Sequence, residues 1–357
     1  MRERSTGQIE VVGGMDLGDK KSQLCVLDTE SGEIVEETRL ATTEACLRRR
    51  FQGVGRMRIA LEVGTHSPWV SRLLEELGHE VYVANARKLR LIYENRQKDD
   101  RVDAEYLARL ARVDPRLLSP IRHRGAAAQA DLARVRSRAA LVQARTALIG
   151  HCRGAVKSWG QRLPSCDARC FAAQASQAMP EALREALEPV LEQIAQLTQT
   201  IRRMDREIET LAAERYPETQ GLRKIRGVGA LTALSFVLTL DDPHRFPTSR
   251  TVGAYLGLVP ARADSGESRP QLRISKEGDR YLRSLLVQCA HYMLGPFGED
   301  CDLRRFGHRL IDRGGKAAKK RAAVAVARKL AVVLHRLWVT ADDYDPFHAL
   351  NTDSQAA

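Results

Sequence analysis

The chain has 357 residues, of which 43% are hydrophobic, and a formal net charge of +12. This length is enough for two or three domains with hydrophobic cores. No apolar run reaches the ~18 to 20 residues needed to cross a membrane, and the first 14 residues hold no apolar signal-peptide core. The sequence therefore predicts a cytoplasmic protein with no membrane partner.

The first 115 residues alternate between strand-like and helix-like patterns. Three apolar, β-branched stretches separated by short turns predict consecutive strands over 9–17, 22–28 and 33–42. The later patterns predict a helix, a strand, a helix and a strand over 43–53, 57–63, 67–78 and 79–86, with a helix after them. This order is typical of an RNase H-like α/β domain with a mixed sheet.

Residues 126–213 have an almost entirely helical pattern. Apolar residues there recur at alternating spacings of four and three: Val190, Ile194, Leu197, Ile201, Met204, Ile208 and Leu211. This spacing is that of a coiled-coil seam. It fits either a coiled coil between subunits or a helical hairpin within the chain. Pro189 is expected to start this helix or to kink it.

Residues 222–350 are expected to form a second compact region that is mainly helical. Gly227, Val228 and Gly229 lie between two apolar helical patterns. Such a turn resembles a helix-hairpin-helix, whose backbone amides can hold a DNA phosphate.

The positive charge is concentrated in two stretches. Residues 121–170 contain ten Lys and Arg against two acids, and residues 301–340 contain eleven against two. Basic stretches of this density favour a polyanion partner, most often nucleic acid, over an ordinary solvated surface.

Four carboxylates occupy positions that suit a metal site. Asp16 lies near the end of the first predicted strand and Glu62 near the end of the fourth, and these strands are neighbours in an RNase H-like sheet. Asp100 and Asp103 are three apart at a helix start and so share one face, from which Asp99 should point away. Four hard oxygen donors suit Mg²⁺, and two such ions can stabilise phosphodiester cleavage. The alternative is that these acids only cap strand and helix ends.

Ser265 precedes a glycine in a loop rich in Arg and Lys. A serine hydroxyl is a weak nucleophile near pH 7 unless cations stabilise its alkoxide. From the residues alone, the preferred interpretation is that Ser265 belongs to a Ser-Gly turn in a loop that contacts DNA. Ser268 and Ser275 are competing candidates.

Six strings occur in an order that resembles the insertion-sequence transposases of the IS-one-ten family. They are GMDLGDKKSQLCVLD, ALEVGTHSPWVSRLLEELGHEVYVANARKLR, KDDRVDAEYLARL, IRGVGALTALSFV, RFPTSRTVGAYLGLVP and DSGESRPQLRISKEGDRYLRSLL. The resemblance implies a RuvC-like DEDD domain over 1–125, a helical or coiled-coil linker over 126–215 and a serine transposase domain over 216–357.

The resemblance also implies residue roles and partners. Asp16, Glu62, Asp100 and Asp103 match the family's Mg²⁺-binding positions, and Ser265 matches its nucleophile, which forms a transient 5′-phosphoserine. The two domains, from different subunits, form a composite site in a dimer or tetramer. A structured noncoding bridge RNA guides the reaction by pairing with donor and target DNA, which places the protein at the nucleoid.

Two local departures from the family pattern are visible. Asp99 stands where the family often has Thr or Asn, and Asp264 precedes Ser265 where a Ser-Ser-Gly run is common. Asp264 has two possible roles: it helps to bind metal, or it serves only as a turn residue.

The sequence thus predicts an RNA-guided DNA recombinase that inserts and excises an insertion sequence. The first alternative is a RuvC-like, Mg²⁺-dependent, structure-specific DNA nuclease that uses water and leaves no covalent intermediate. The second is a nucleic-acid-binding scaffold whose carboxylates are only structural.

Overall fold

A computed structural model describes residues 9–85, 99–263, 265, 268, 270 and 272–348. The chain forms two compact units, residues 1–123 and residues 124–357. In the described part of the chain, no helix is both long enough and apolar enough to cross a membrane. All seven cysteines are free thiols.

The first unit contains a five-stranded mixed sheet with the strand order β3-β2-β1-β4-β5. The strands are β1 (Val11–Asp16), β2 (Lys21–Asp28), β3 (Ile34–Ala41), β4 (Arg58–Glu62) and β5 (Glu80–Ala84). The helices are α1 (Glu44–Phe51), α2 (Ser67–Glu76) and α3 (Asp100–Val113). β1 is antiparallel to β2 and parallel to β4, which is parallel to β5. The predicted order of strands and helices is confirmed.

The two faces of the sheet bury different helices. Met15 and Ile59 pack with Leu47 of α1 and Leu74 of α2 in one apolar cluster. On the opposite face, the small residues of the strands pack against α3, in the cluster Val12, Ala60, Ala84, Leu107, Ala111 and Leu118. Because side chains alternate along a strand, every second residue from Val12 and from Ala60 faces α3.

Gly14 lets α3 approach the sheet closely. A Cβ atom on Gly14 would lie 2.0 Å from the carbonyl oxygen of Ala104 and 2.4 Å from the amide nitrogen of Ala108, so no larger residue fits there. Val12 meets the later part of α3, at Leu107 and Ala111. The helix therefore runs antiparallel to β1, and its first turn lies toward the end of β1.

The second unit is helical and contains one long helical hairpin. Its helices are α4 (Ala126–Ser158), α5 (Phe171–Gln177), α6 (Glu181–Arg215), α7 (Glu218–Arg223), α8 (Ala230–Leu240), α9 (Ser249–Tyr255), α10 (Arg280–Leu294), α11 (Asp302–Asp312) and α12 (Ala318–Thr340). Helices α4 and α6 are antiparallel, since Arg138 bonds Asp205 at 2.8 Å while Arg145, further along α4, bonds the earlier Thr198 at 3.3 Å. Residues from each of the helices α7 through α12 form one large apolar core.

The predicted seam is used within the chain. Ile194, Ile201 and Ile208 are buried in the hairpin, whereas Leu197 and Met204 are only half-buried. Of the two alternatives for the seam, the hairpin is the one found in this unit. A coiled coil between subunits stays a prediction.

The expectation that Pro189 starts the helix is wrong. Helix α6 begins at Glu181 and continues through Pro189. Its buried stripe already includes Leu187, so packing favours the helix on both sides of the proline, which removes only one backbone hydrogen bond.

His335 links α12 to the start of α9. Its Nδ1 lies 2.9 Å from the hydroxyl oxygen of Ser249, and its Nε2 lies 2.9 Å from the carbonyl oxygen of Pro243. The carbonyl can only accept, so Nε2 carries the proton and Nδ1 accepts from the serine, which is the neutral tautomer. Burial keeps the pKa of His335 below its ordinary value, because it disfavours the charged imidazolium.

The protein is expected to lose stability as the pH falls below about 6.5, the ordinary pKa of histidine. A lowered pKa in the folded chain means that the unfolded chain binds the proton more readily, so acid favours unfolding. His335→Gln should reduce this pH dependence, measured as the urea midpoint from pH 7.5 to 5.5. Exposed His151→Gln is the matched control. An unchanged dependence in His335→Gln would contradict the assignment.

Candidate active site

Asp16 and Glu62 lie at the same edge of the sheet. They are the last residues of β1 and β4, which are parallel neighbours in a register that pairs Met15 with Leu61. The next residues of the two strands are therefore side by side, about 4.8 Å apart in the backbone. Asp16 is two residues after Gly14, and Glu62 is two after Ala60, so both carboxylates are on the α3 face.

The first turn of α3 carries the other two carboxylates. The side of α3 that packs on the sheet comprises Ala104, Leu107, Ala108 and Ala111. Asp100 is four residues before Ala104, and Asp103 is four before Leu107, so both continue the sheet-facing stripe beyond its buried part. Asp103 is half-buried and Asp100 is exposed.

Asp99 has a structural role at the helix start. Its carboxylate accepts a hydrogen bond of 3.0 Å from the amide of Arg101, which makes it the N-cap of α3. Capping is therefore done by Asp99, while Asp100 and Asp103 lie in the first turn, where acids also favour the helix dipole.

An ion pair joins the start of α3 to strand β3. Arg101 lies 2.7 Å from Glu37 of β3. Asp100 lines an open groove of about 370 Å³ here, together with Gln23, whose backbone pairs with Asp16. Gln23, Glu37 and Arg101 could not be identified from the sequence, because cross-strand and helix-to-strand partners depend on the register.

The four carboxylates lie on the side of the sheet that packs against α3, but they are not close enough together to coordinate one metal ion. Within the described residues, no three His, Cys, Asp or Glu side chains lie close enough together to hold a metal ion. Asp16, Glu62 and Asp103 each have a polar or ionic partner. The donor chemistry fits a hard divalent cation, since all four side chains offer carboxylate oxygens. A cation would have to draw the first turn of α3 and the strand ends together.

His66 is a polar group at this edge that the sequence analysis did not single out. It precedes α2, and its Nδ1 accepts a hydrogen bond of 3.0 Å from the indole of Trp69. The proton is then on Nε2, which lies 3.5 Å from the carboxylate of Asp19. The sequence feature that could have identified His66 is its spacing of three residues from Trp69 at a helix start.

In the second unit, Ser265 is exposed. It lies between two backbone hydrogen-bonded segments, which are joined from Ala261 to Arg273 at 2.9 Å and from Ser275 to Val259 at 2.9 Å. Ser265 and Ser268 exchange backbone hydrogen bonds of 3.2 and 3.0 Å. Asp264 lies outside the described residues. An exposed serine at this position suits both the nucleophile and the DNA-contacting loop.

The two basic stretches differ in how much of their charge is neutralised. In the first, Arg136 and Arg138 pair with Asp279 and Asp205, and Arg145 is buried. In the second, six exposed cations have no ion-pair partner among the described residues: Arg309, Arg313, Lys316, Lys319, Lys320 and Arg321. The second stretch, at the turn between α11 and α12, is therefore the better candidate for a nucleic-acid backbone.

Comparisons with known proteins identify the class of protein. A family model for DEDD transposases of the IS110 type matches residues 13–159, and the model described as the transposase IS116/IS110/IS902 family matches residues 219–297. The α/β unit and its carboxylates thus lie in a region typical of DEDD transposases, and α7, α8 and Ser265 lie in the second match.

Several curated transposases resemble the chain along most of its length. The transposase for insertion sequence element IS1111A of Coxiella burnetii is 28% identical over 96% of this chain and 93% of that protein. A probable family 20 transposase of Pseudomonas aeruginosa is 27% identical over 93% and 98%. The transposase for IS1328 of Yersinia enterocolitica is 30% identical over 65% and 69%. The chain belongs to the IS110 family of transposases, and the resemblance seen in the sequence is confirmed.

Membership in this family implies an enzyme that cuts and recombines DNA. It also implies DNA substrates and, through the DEDD domain, a general dependence on divalent metal.

Proposed function

We propose that this protein is an RNA-guided DNA recombinase that inserts and excises its insertion sequence. Asp16, Glu62, Asp100 and Asp103 hold Mg²⁺, and Ser265 attacks the DNA. The observation that carries the proposal is that Asp16 and Glu62 end neighbouring parallel strands, while Asp100 and Asp103 lie in the first turn of the helix that packs on those strands.

The chain's residues have distinct tasks in this reaction. The Oγ of Ser265 bonds to the phosphorus and loses its proton, while the 3′ oxygen leaves and gains one. The phosphoserine keeps the energy of the phosphodiester bond, so that a 3′ hydroxyl can later attack it and release the serine without ATP. The exposed position of Ser265 suits a nucleophile that must reach a DNA backbone. Bound Mg²⁺ would supply positive charge against the charge that develops on the phosphate.

A water-using nuclease is the second candidate. It needs the carboxylates but no covalent serine step. The backbone bridge between Ser265 and Ser268 is compatible with it, because a serine held in this way can also belong to a loop that only touches DNA. The scaffold alternative has less support, since the chain belongs to a family of transposases.

Three further parts of the proposal come from the family resemblance. They are the bridge RNA, the dimer or tetramer with carboxylates and serine from different subunits, and the three-domain division at residues 125 and 215. The six exposed cations at the turn between α11 and α12 support contact with a nucleic-acid backbone, which should weaken steeply with salt.

DNA cleavage by the full chain, mixed with flanking RNA and Mg²⁺, tests the carboxylate part of the proposal. Cleavage should be lost with a chelator and should fall by at least about 100-fold in Asp16→Asn, because a metal ligand is removed. Asp28→Asn is a matched control, since Asp28 closes a turn by accepting from Ser31 at 2.7 Å. Cleavage that persists in the chelator would contradict the metal proposal.

A further inference from the structure

The turn at Gly227–Gly229 borders a cavity of about 480 Å³ in the second unit. Arg223 and Arg226 line it, and no carboxylate is among the described residues of its lining. Tyr292 and Gln288 of α10 also line it, as does Thr232 of α8. This volume is in the range of small-ligand sites.

The Tyr292 ring is held against the glycine turn. Gly227 has a φ of +90°, which favours glycine, and a Cβ there would lie 2.7 Å from Cδ1 of Tyr292. Tyr292 as a whole is nevertheless 40% exposed. Its ring therefore packs on the turn while part of the residue stays open to a ligand.

A second aromatic ring lies nearby in the chain. Phe297 is 79% exposed and is two residues from Glu299, which pairs with Arg226 at 2.7 Å. Exposed aromatic rings beside arginines are typical of sites for unpaired nucleic acid, where bases stack on the rings and cations meet the backbone.

The arginines are accessible to a phosphate. The side chains of Arg226 and Glu299 are 70% and 59% exposed, and surface ion pairs of this kind contribute little. Arg223 pairs with Glu209, whose side chain is also about half exposed. A phosphate can form bidentate hydrogen bonds to a guanidinium, as a carboxylate does.

We propose that this cavity binds one unpaired nucleotide of the DNA substrate. The base stacks on Tyr292, its edge meets the exposed amide of Gln288, and its phosphate lies at Arg223 and Arg226. The proposal rests on the proposed function, because strand exchange is what exposes unpaired bases.

Binding of the full chain to labelled oligonucleotides, in a buffer with chelator, tests this site. Tyr292→Leu should weaken binding of single-stranded DNA by about 5- to 100-fold, the effect of losing one stacked base, and leave binding of the matching duplex unchanged. Tyr292→Phe should keep wild-type affinity, because the ring is retained. Tyr106→Leu, on α3, is the matched control, since Tyr106 is similarly exposed at 37%.

Three outcomes would overturn the proposal. They are equal binding of single strands by Tyr292→Leu and wild type, an equal loss for single strands and duplex, and a Tyr292 dependence seen only with RNA. A second measurement needs no variant: 2-aminopurine in the single strand should change its fluorescence on binding wild-type protein, and no change would also overturn the proposal. Because no divalent cation is present, this failure is distinct from a failure of DNA cleavage.

Discussion

Asp100→Asn is expected to abolish DNA cleavage and covalent capture, whereas Asp99→Asn should leave both within a few-fold of wild type. Asp100 continues the sheet-facing stripe of α3 toward Asp16 and Glu62, so its loss removes a metal ligand. Asp99 instead caps the helix, and asparagine caps as well as aspartate. Both activities are measured on the same labelled DNA with Mg²⁺ and flanking RNA.

The neighbouring substitutions form a matched pair, because they remove the same charge one residue apart. Asp99→Ala should cost about 1 kcal/mol of stability through the lost cap, without loss of cleavage chemistry. Equal loss of cleavage in Asp99→Asn and Asp100→Asn would contradict the assignment of one carboxylate face.

Asp131→Ala should destabilise the second unit by about 1–3 kcal/mol, the usual cost of removing a buried acceptor from its hydrogen-bond partners. The side chain of Asp131 is 2% exposed and lies 3.0 Å from Arg215. It also accepts a hydrogen bond of 2.8 Å from the hydroxyl of Tyr216. The substitution leaves both partners without their acceptor at the base of the α4–α6 hairpin. Urea unfolding of the full chain measures the effect.

Asp205→Ala is the control for this prediction. Asp205 pairs with Arg138 at 2.8 Å between the same two helices, but its side chain is 47% exposed. Surface pairs contribute at most about 1 kcal/mol. Similar destabilisation by the two substitutions would show that burial of Asp131 does not set the stability of the hairpin.

Much of the first unit could be predicted from local patterns. Alternating apolar residues and glycine turns predicted β1 to β5 and the helices between them, and the strand-end positions of Asp16 and Glu62 followed from those boundaries. The shared face of these carboxylates depends on a pairing that only the register of β1 and β4 establishes.

Other features could not be predicted, because they depend on contacts between distant residues. The need for glycine at position 14 follows only from the contact with Ala104 of α3. The apolar seam of α6 likewise does not indicate which helix packs against it. Tertiary packing also extends α6 across Pro189, against the local preference of proline.

Covalent trapping tests the central claim most directly. The protein is mixed with labelled donor DNA, Mg²⁺ and RNA transcribed from the flanks of its gene, and the products are separated on a denaturing gel. The account predicts a shifted protein–DNA band that Ser265→Ala loses and Ser268→Ala keeps; Ser268 is the matched control because both serines are exposed and bridge each other. Cleaved DNA without a covalent band, unaffected by Ser265→Ala, would contradict the serine mechanism and favour the nuclease that uses water.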